Sequence, residues 1–194
     1  MKSDHVELAK SFIFGIVVIL ITLWAIEAVS VFAPSIYGDA KATISQWGAP
    51  GVFVGVFLGS TLLPFPTDLF YITAVNLAQS TNDKIVMFVI ALIAGVIGAM
   101  VNYWLARVFR EKFVHNFVSE QQLAEAKRWF DKYGPYPILI FGIFPASPVF
   151  DPITFIAGLT GMDFKEFSVF AIASRAIHFA LLALIASNAG LIPF

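Results

Sequence analysis

Long uncharged apolar stretches make up most of this chain, and the breaks between them are the informative positions. Stretches free of Asp, Glu, Lys and Arg run from Ala42 to Thr67, Leu69 to Asn82, Ile85 to Ala106, Tyr133 to Phe150, Pro152 to Met162 and Ala176 to Phe194. A helix that crosses a bilayer needs about 20 apolar residues. Ile85 to Ala106 meets that length alone, and a last helix from Lys165 to Ile192 meets it if Arg175 is accommodated. An N-terminal run over 11–33 also qualifies. Lys2 and Lys10 precede it as in a signal peptide, but no small-residue cleavage pattern follows, so it reads as a retained helix.

The remaining stretches are too short to span and are broken by proline beside an acidic residue. Pro64-Phe-Pro66-Thr-Asp68 interrupts one, and Pro145-Ala-Ser-Pro148-Val-Phe-Asp151-Pro152 interrupts another. Proline leaves backbone groups without helical partners, which hydrocarbon tolerates only where the segment is buried in protein or lines a cavity. Gly51 to Leu63 and Leu69 to Gln79 therefore read as the arms of a re-entrant hairpin, and Pro137 to Phe144 and Ile153 to Thr160 as a second. The tips are Pro64 and Pro66 in one and Pro145, Pro148 and Pro152 in the other.

Composition agrees with a bilayer setting. The 194 residues are 59% hydrophobic and 13% charged, against about 25% charged in soluble domains. No linker or low-complexity tract divides the chain, so residues 1–194 form one integral membrane domain. Cysteine is absent, which removes disulfides, thiolate metal sites and cysteine nucleophiles. No phosphate loop, His-Glu-x-x-His or Ser/His/Asp arrangement stands out, so no enzyme activity, metal or cofactor is expected. Nothing indicates nucleic-acid binding, and a homo-oligomer stays open.

Charge placement orients the chain. Arg107, Arg110, Lys112, Lys127, Arg128 and Lys132 crowd one connecting segment, which places 107–134 and the N-terminus in the cytoplasm. The first hairpin then enters from outside and the second from the cytoplasm, the arrangement of an inverted repeat. The expected fold class is an all-α membrane protein: three spanning helices, two opposed re-entrant helical hairpins and a short cytoplasmic amphipathic helix. The parts are an N-terminal helix over 11–33, repeat one over 47–109, a linker helix over 119–133 and repeat two over 134–192. Asp68-Leu-Phe-Tyr-Ile-Thr-Ala74 overlays Asp151-Pro-Ile-Thr-Phe-Ile-Ala157, and Trp47-Gly48-Ala-Pro50 resembles Tyr133-Gly134-Pro135. The spacing from glycine to aspartate differs by three residues between the halves.

Local signals refine the elements. Ser119-Glu-Gln-Gln122 is a capping box opening a helix from Glu120 to Lys132, and Asp163-Phe-Lys-Glu166 repeats that logic before the last helix. Gly51, Gly55 and Gly59 on the first arm and Ala91, Gly95 and Ala99 on the following helix predict a close seam between that arm and that helix.

Asp68 and Asp151 carry the leading candidate chemistry. A carboxylate at membrane depth costs roughly 2.5 to 3.5 kcal/mol on insertion scales. Two readings stand: each caps a short hairpin helix, or each titrates and serves proton coupling or gating. Arg175 lies too deep to reach the interface easily, so it meets a carboxylate or an anionic ligand. His178, on the same face, is either a packing residue or a titrating one. Asn102, Tyr103 and Arg107 end the first long helix. There they either bind a phosphate headgroup or serve as a snorkelling arginine beside an aromatic belt.

Three blocks resemble the DedA family, within the wider VTT-domain superfamily that includes the SNARE-associated Golgi proteins. They are Ser60-Thr-Leu-Leu-Pro64-Phe-Pro66-Thr-Asp68, then Gly95-Val-Ile-Gly98-Ala-Met-Val-Asn102-Tyr103-Trp-Leu-Ala-Arg107, and the stretch from Tyr133-Gly134 through Phe144-Pro145 to Ala157-Gly158, Met162 and Phe167. This chain departs from the family pattern at Ser60, where an acidic residue is common, and at Gly142 and Pro148, where arginines are common. It looks like a divergent, short member.

The resemblance implies movement of a lipid, a phospholipid or polyprenyl phosphate, across the cell membrane. Asp68 and Asp151 would couple to protons, while Arg175, Arg107, His178, Asn102 and Tyr103 would bind an anionic headgroup. Membrane lipids are then both surroundings and substrate. The alternatives are a non-transporting membrane scaffold and a transporter of a small ion.

Overall fold

The computed structural model describes residues 34–61, 66–112, 120–145 and 150–188, and among these the chain is all-helical, with eight helices. They are α1 (Pro34–Trp47), α2 (Ala49–Gly59), α3 (Thr67–Leu77), α4 (Thr81–Lys112), α5 (Glu120–Tyr133), α6 (Tyr136–Ile143), α7 (Phe150–Thr160) and α8 (Phe164–Asn188). The expected helix over 11–33, the tips Pro64 and Pro148, and the capping residue Ser119 lie outside the described residues. Pro66 directly precedes α3, Pro145 follows α6 and Pro152 is the third residue of α7.

Among the described residues the expected short arms, linker helix and two long helices form, with one addition. α1 was not anticipated, because its sequence mixes Asp39, Lys41, Ser45 and Gln46 with apolar residues and suits neither a span nor a strong stripe. It buries Ala40 and Ile44, one turn apart, against α2 and α3. α4 also extends beyond its expected bounds at both ends. Its start is fixed by a reciprocal cap: the Asp83 N–H donates to Ser80 Oγ (3.1 Å) and the Ser80 N–H donates to Asp83 Oδ2 (3.0 Å). Asp163 caps α8 as expected, its Oδ1 accepting from the Lys165 and Glu166 N–H groups at 2.9 and 3.1 Å.

Each half of the chain repeats one order of elements. A 14-residue helix ends in an aromatic residue, and a glycine in the left-handed region then turns the chain. Gly48 has φ 57° and Gly134 has φ 58°. Each glycine N–H donates to the carbonyl four residues back at 2.7 Å, on Ile44 and Phe130 respectively. Two short arms and one long helix follow. In both halves the aspartate is the second residue of an 11-residue second arm. The first arms differ, α2 having 11 residues and α6 having 8, and 11 − 8 = 3 accounts for the three-residue difference in spacing.

Packing between the halves is reciprocal. Each first arm lies along the long helix of its own half, α2 on α4 and α6 on α8. Each second arm crosses to the other half, α7 onto α4 and α3 onto α8, and the two long helices pack on each other. Close approach needs glycine at two of these contacts. A Cβ on Gly98 would lie 2.6 Å from Ser60 Cβ, and one on Gly158 would lie 2.2 Å from the Tyr103 carbonyl oxygen. The expected glycine seam is partly corrected: Gly55 receives Phe70 of α3, Gly51 faces α1, and Gly95 faces Phe179 of α8. The ridge on α2 therefore serves α1 and the hairpin's own second arm.

α4 and α8 are long and apolar enough to cross a bilayer. Their outward rows, Ile85, Val89, Ile93 and Ile97 on α4 and Val169, Ile172, Ile177 and Leu181 on α8, are exposed. An apolar surface of this extent matches lipid better than water. Inside, one apolar core gathers Val52, Tyr71, Ala91, Phe179 and Leu182, and a second gathers Tyr103, Ile138, Phe150, Phe167 and Ala171. Arg175 and His178 fall on α8 between the stretches that feed these cores, as Asn102 follows the corresponding gap on α4. A polar layer thus separates two apolar ones.

Candidate functional site

The polar layer is built on a single turn of α8. Arg175 and His178 are three residues apart on this helix, so they share a face. Both are almost fully buried. Arg175 Nη2 donates to Asp151 Oδ1 at 3.2 Å, and His178 Nε2 lies 3.0 Å from Asp68 Oδ1. Each hairpin therefore brings its aspartate to the same turn of the same helix. The two pairs thus lie side by side, one helical turn apart on α8. The second arms place these carboxylates at their first turns, where the positive end of the helix dipole favours negative charge.

The capping reading of the aspartates is not what the geometry shows: each carboxylate meets a side chain of α8. Pro66 occupies the N-cap position of α3, so Asp68 is not that helix's cap, and its carboxylate meets α8. Asp151 likewise sits inside α7, with its carboxylate on Arg175. The Arg175 guanidinium also lies over the Phe150 ring at 3.9 Å, a cation–π contact that fixes its plane beside Asp151. The bland reading of His178 as a packing residue holds in part, because its ring contacts Phe179 edge-on at 5.0 Å.

The unit is not saturated. Arg175 Nε, His178 Nδ1 and Tyr71 Oη are buried without a hydrogen-bond partner among the described residues. Tyr71 is one turn beyond Asp68 and is itself fully buried, its ring 4.9 Å from Phe179. Sequence reasoning missed it. The available signal was its spacing of three from Asp68, which puts a hydroxyl on the face that carries the carboxylate. Buried polar groups are normally paired, so a layer holding three open ones is suited to take up water or a polar ligand.

The other candidates lie on α4. Asn102 is fully buried, and its amide nitrogen donates to the Ser60 carbonyl and to Thr154 Oγ1, each at 3.2 Å. Tyr103 and Arg107 are placed elsewhere. Tyr103 Oη donates to the Met162 carbonyl at 2.5 Å, and Arg107 Nη1 donates to Tyr103 Oη at 2.6 Å and to the Met162 carbonyl at 3.3 Å. Met162 follows the end of α7 whereas Asp151 begins it, and eleven helical residues rise roughly 16 Å. Tyr103 and Arg107 thus hold the α7–α8 turn, apart from the aspartates. Gly142 has no room for a side chain, since a Cβ there would lie 2.0 Å from Ser174 Oγ and 2.3 Å from the Phe150 ring. The buried cation near this part of the second hairpin comes instead from Arg175. Among the described residues no group of three His, Asp or Glu side chains is placed to hold a metal ion.

Two helices long and apolar enough to cross a bilayer, paired short arms and a buried charge layer suit a helical integral membrane protein. The VTT domain model matches residues 65–188, and the chain belongs to this family, with DedA proteins among its relatives. Undecaprenyl phosphate transporter A of Staphylococcus aureus is 27% identical over 73% of this chain and 74% of its own length. An uncharacterized protein of Methanocaldococcus jannaschii is 27% identical over 73% of this chain and 85% of its own. Protein DedA of Escherichia coli is 29% identical over 70% of this chain and 64% of its own. No solved structure matches.

Proposed function

We propose that this protein moves a phosphate-bearing lipid across the cell membrane, with proton exchange at Asp68 and Asp151. The observation that carries this reading is the convergence of one carboxylate from each hairpin on Arg175 and His178. The relative named as an undecaprenyl phosphate transporter supports the substrate class.

In this reading the arms are re-entrant. The eleven residues of α2, α3 and α7 rise roughly 16 Å and the eight of α6 roughly 12 Å, about half or less of a hydrocarbon core near 30 Å, so no arm crosses it and the arms end toward the midplane. The two hairpins enter from opposite faces, with 107–134 cytoplasmic. Without substrate, Asp151 neutralises Arg175 and Asp68 engages His178. An anionic headgroup arriving at Arg175 and His178 displaces the carboxylates, which take up protons as their partners are withdrawn. Release on the other face reverses both events. Substrate and carboxylates thus compete for Arg175 and His178, so headgroup and protons are taken up together, and rocking of one half against the other exposes the layer alternately. Tyr103 and Arg107 hold the frame in this scheme and do not bind the headgroup.

The test is reconstitution. Vesicles holding the purified protein and a fluorescent phospholipid or polyprenyl phosphate are expected to move that lipid between leaflets faster than empty vesicles. Movement no faster than in empty vesicles for both lipids would reject the reading.

A further inference from the structure

We propose that Asn102 is a positioning residue that keeps the two hairpins in register through a single amide group. The inference rests on the transport reading for its consequence but on the geometry alone for its structural content.

Ser60 and Thr154 belong to different halves of the chain, at the end of the first arm of one hairpin and within the second arm of the other. Both reach Asn102 because α4 is the rail on which both hairpins pack. Gly98, one turn before Asn102, lets Ser60 approach, and Gly158 lets α7 close onto the Tyr103 backbone. A carbonyl only accepts, so the amide nitrogen must face Ser60. Its two hydrogens are then divided, one to the Ser60 carbonyl and one to Thr154 Oγ1. The Thr154 hydroxyl passes its own hydrogen to the Asp151 carbonyl at 2.8 Å.

A continuous chain therefore runs from the end of α2, through Asn102 and Thr154, to the backbone of Asp151. That residue is common to two networks: its carbonyl is tied to α4 and its carboxylate to Arg175 on α8. Displacing the first hairpin pulls on Asn102 and so on the position of Asp151. The amide is poorly satisfied for a purely structural group, because Asn102 Oδ1 and Ser60 Oγ are both buried without partners among the described residues. Such an arrangement holds the hairpins while leaving capacity for a second set of bonds when they shift.

The chain contains no cysteine, so spin labels can be placed at will. Val54 on α2 and Ile140 on α6 are exposed sites on the two hairpins. With labels on Val54→Cys and Ile140→Cys, the parent is expected to give one narrow distance distribution and Asn102→Leu a broadened one. In vesicles, Asn102→Leu is expected to slow lipid movement about tenfold and to shift the pH midpoint of transport. Thr154→Val should produce the same shift, Thr154→Ser should restore the parent profile, and combining Asn102→Leu with Thr154→Val should add nothing further. An unchanged distance distribution in Asn102→Leu, or effects of Asn102→Leu and Thr154→Val that multiply, would overturn the proposal. A parent that moves no lipid while Asn102→Leu still broadens the distribution would reject transport and leave the coupling standing.

Discussion

Arg175 and His178 stand one turn apart on α8, and each holds the carboxylate of a different hairpin. The charge layer is therefore shared between the halves of the chain, and no change in one hairpin leaves the other electrostatically untouched.

Removing one partner of a buried pair strands the other charge, at a cost of roughly 3–5 kcal/mol when both are fully buried. Asp151 retains partial solvent access, so Arg175→Leu is expected to cost about 2 kcal/mol, below that range. Asp151→Leu combined with Arg175→Leu should recover most of this loss, because an apolar pair can replace a buried ion pair. Thermal unfolding in detergent reads the stability, and the double variant should remain inactive in transport. Recovered transport would show that the pair serves only the fold.

Tyr103→Phe removes the hydroxyl that links Arg107 to the Met162 carbonyl. A stability loss of about 0.5–1.5 kcal/mol is expected from the lost bond, since Arg107 Nη1 still reaches the Met162 carbonyl. The concentration of lipid that half-saturates transport should stay the same. A clear rise in that concentration would instead return Tyr103 and Arg107 to the headgroup site.

Gly158→Ala places a methyl 2.2 Å from the Tyr103 carbonyl oxygen and 2.8 Å from Ala106 Cβ. Backbone cannot rotate away as a side chain does, so α7 must lift from α4. A loss of about 2–3 kcal/mol in unfolding free energy is expected, at the upper end for overpacking. Gly38, with open space around it, is the internal comparison, and Gly38→Ala should be close to neutral or slightly stabilising.

The short paired arms were legible in sequence because proline and aspartate act locally. A proline beside a carboxylate in an apolar run breaks the helix wherever the rest of the chain goes, and both second arms begin there. The Asp163 cap was readable for the same reason. The Ser80–Asp83 cap obeys the same spacing and was overlooked. α1 escaped because its polar and apolar residues alternate too evenly to reveal one face. The roles of Tyr103, Arg107 and Asn102 depend on Met162, Ser60 and Thr154, which are distant in sequence, and no spacing rule connects them. The glycine ridge on α2 announced close approach, but only the packing shows that Gly55 receives Phe70 and that Gly98 receives Ser60.

Topology is tested at the two glycine corners. Trp47 and Tyr133 immediately precede Gly48 and Gly134, and both are exposed. In the cysteine-free chain, a membrane-impermeant thiol reagent applied to intact cells should label Trp47→Cys. Tyr133→Cys should react only after permeabilisation. Labelling of both corners from the same side would remove the opposed arrangement of the hairpins.

The most direct test of the central claim replaces charge while keeping shape, with Asp68→Asn and Asp151→Asn measured in vesicles across a pH gradient. The parent is expected to move lipid faster when the gradient is imposed. Each variant should be slower and indifferent to the gradient. Variants that keep both the parent rate and its response to pH would show that the two carboxylates take no part in transport.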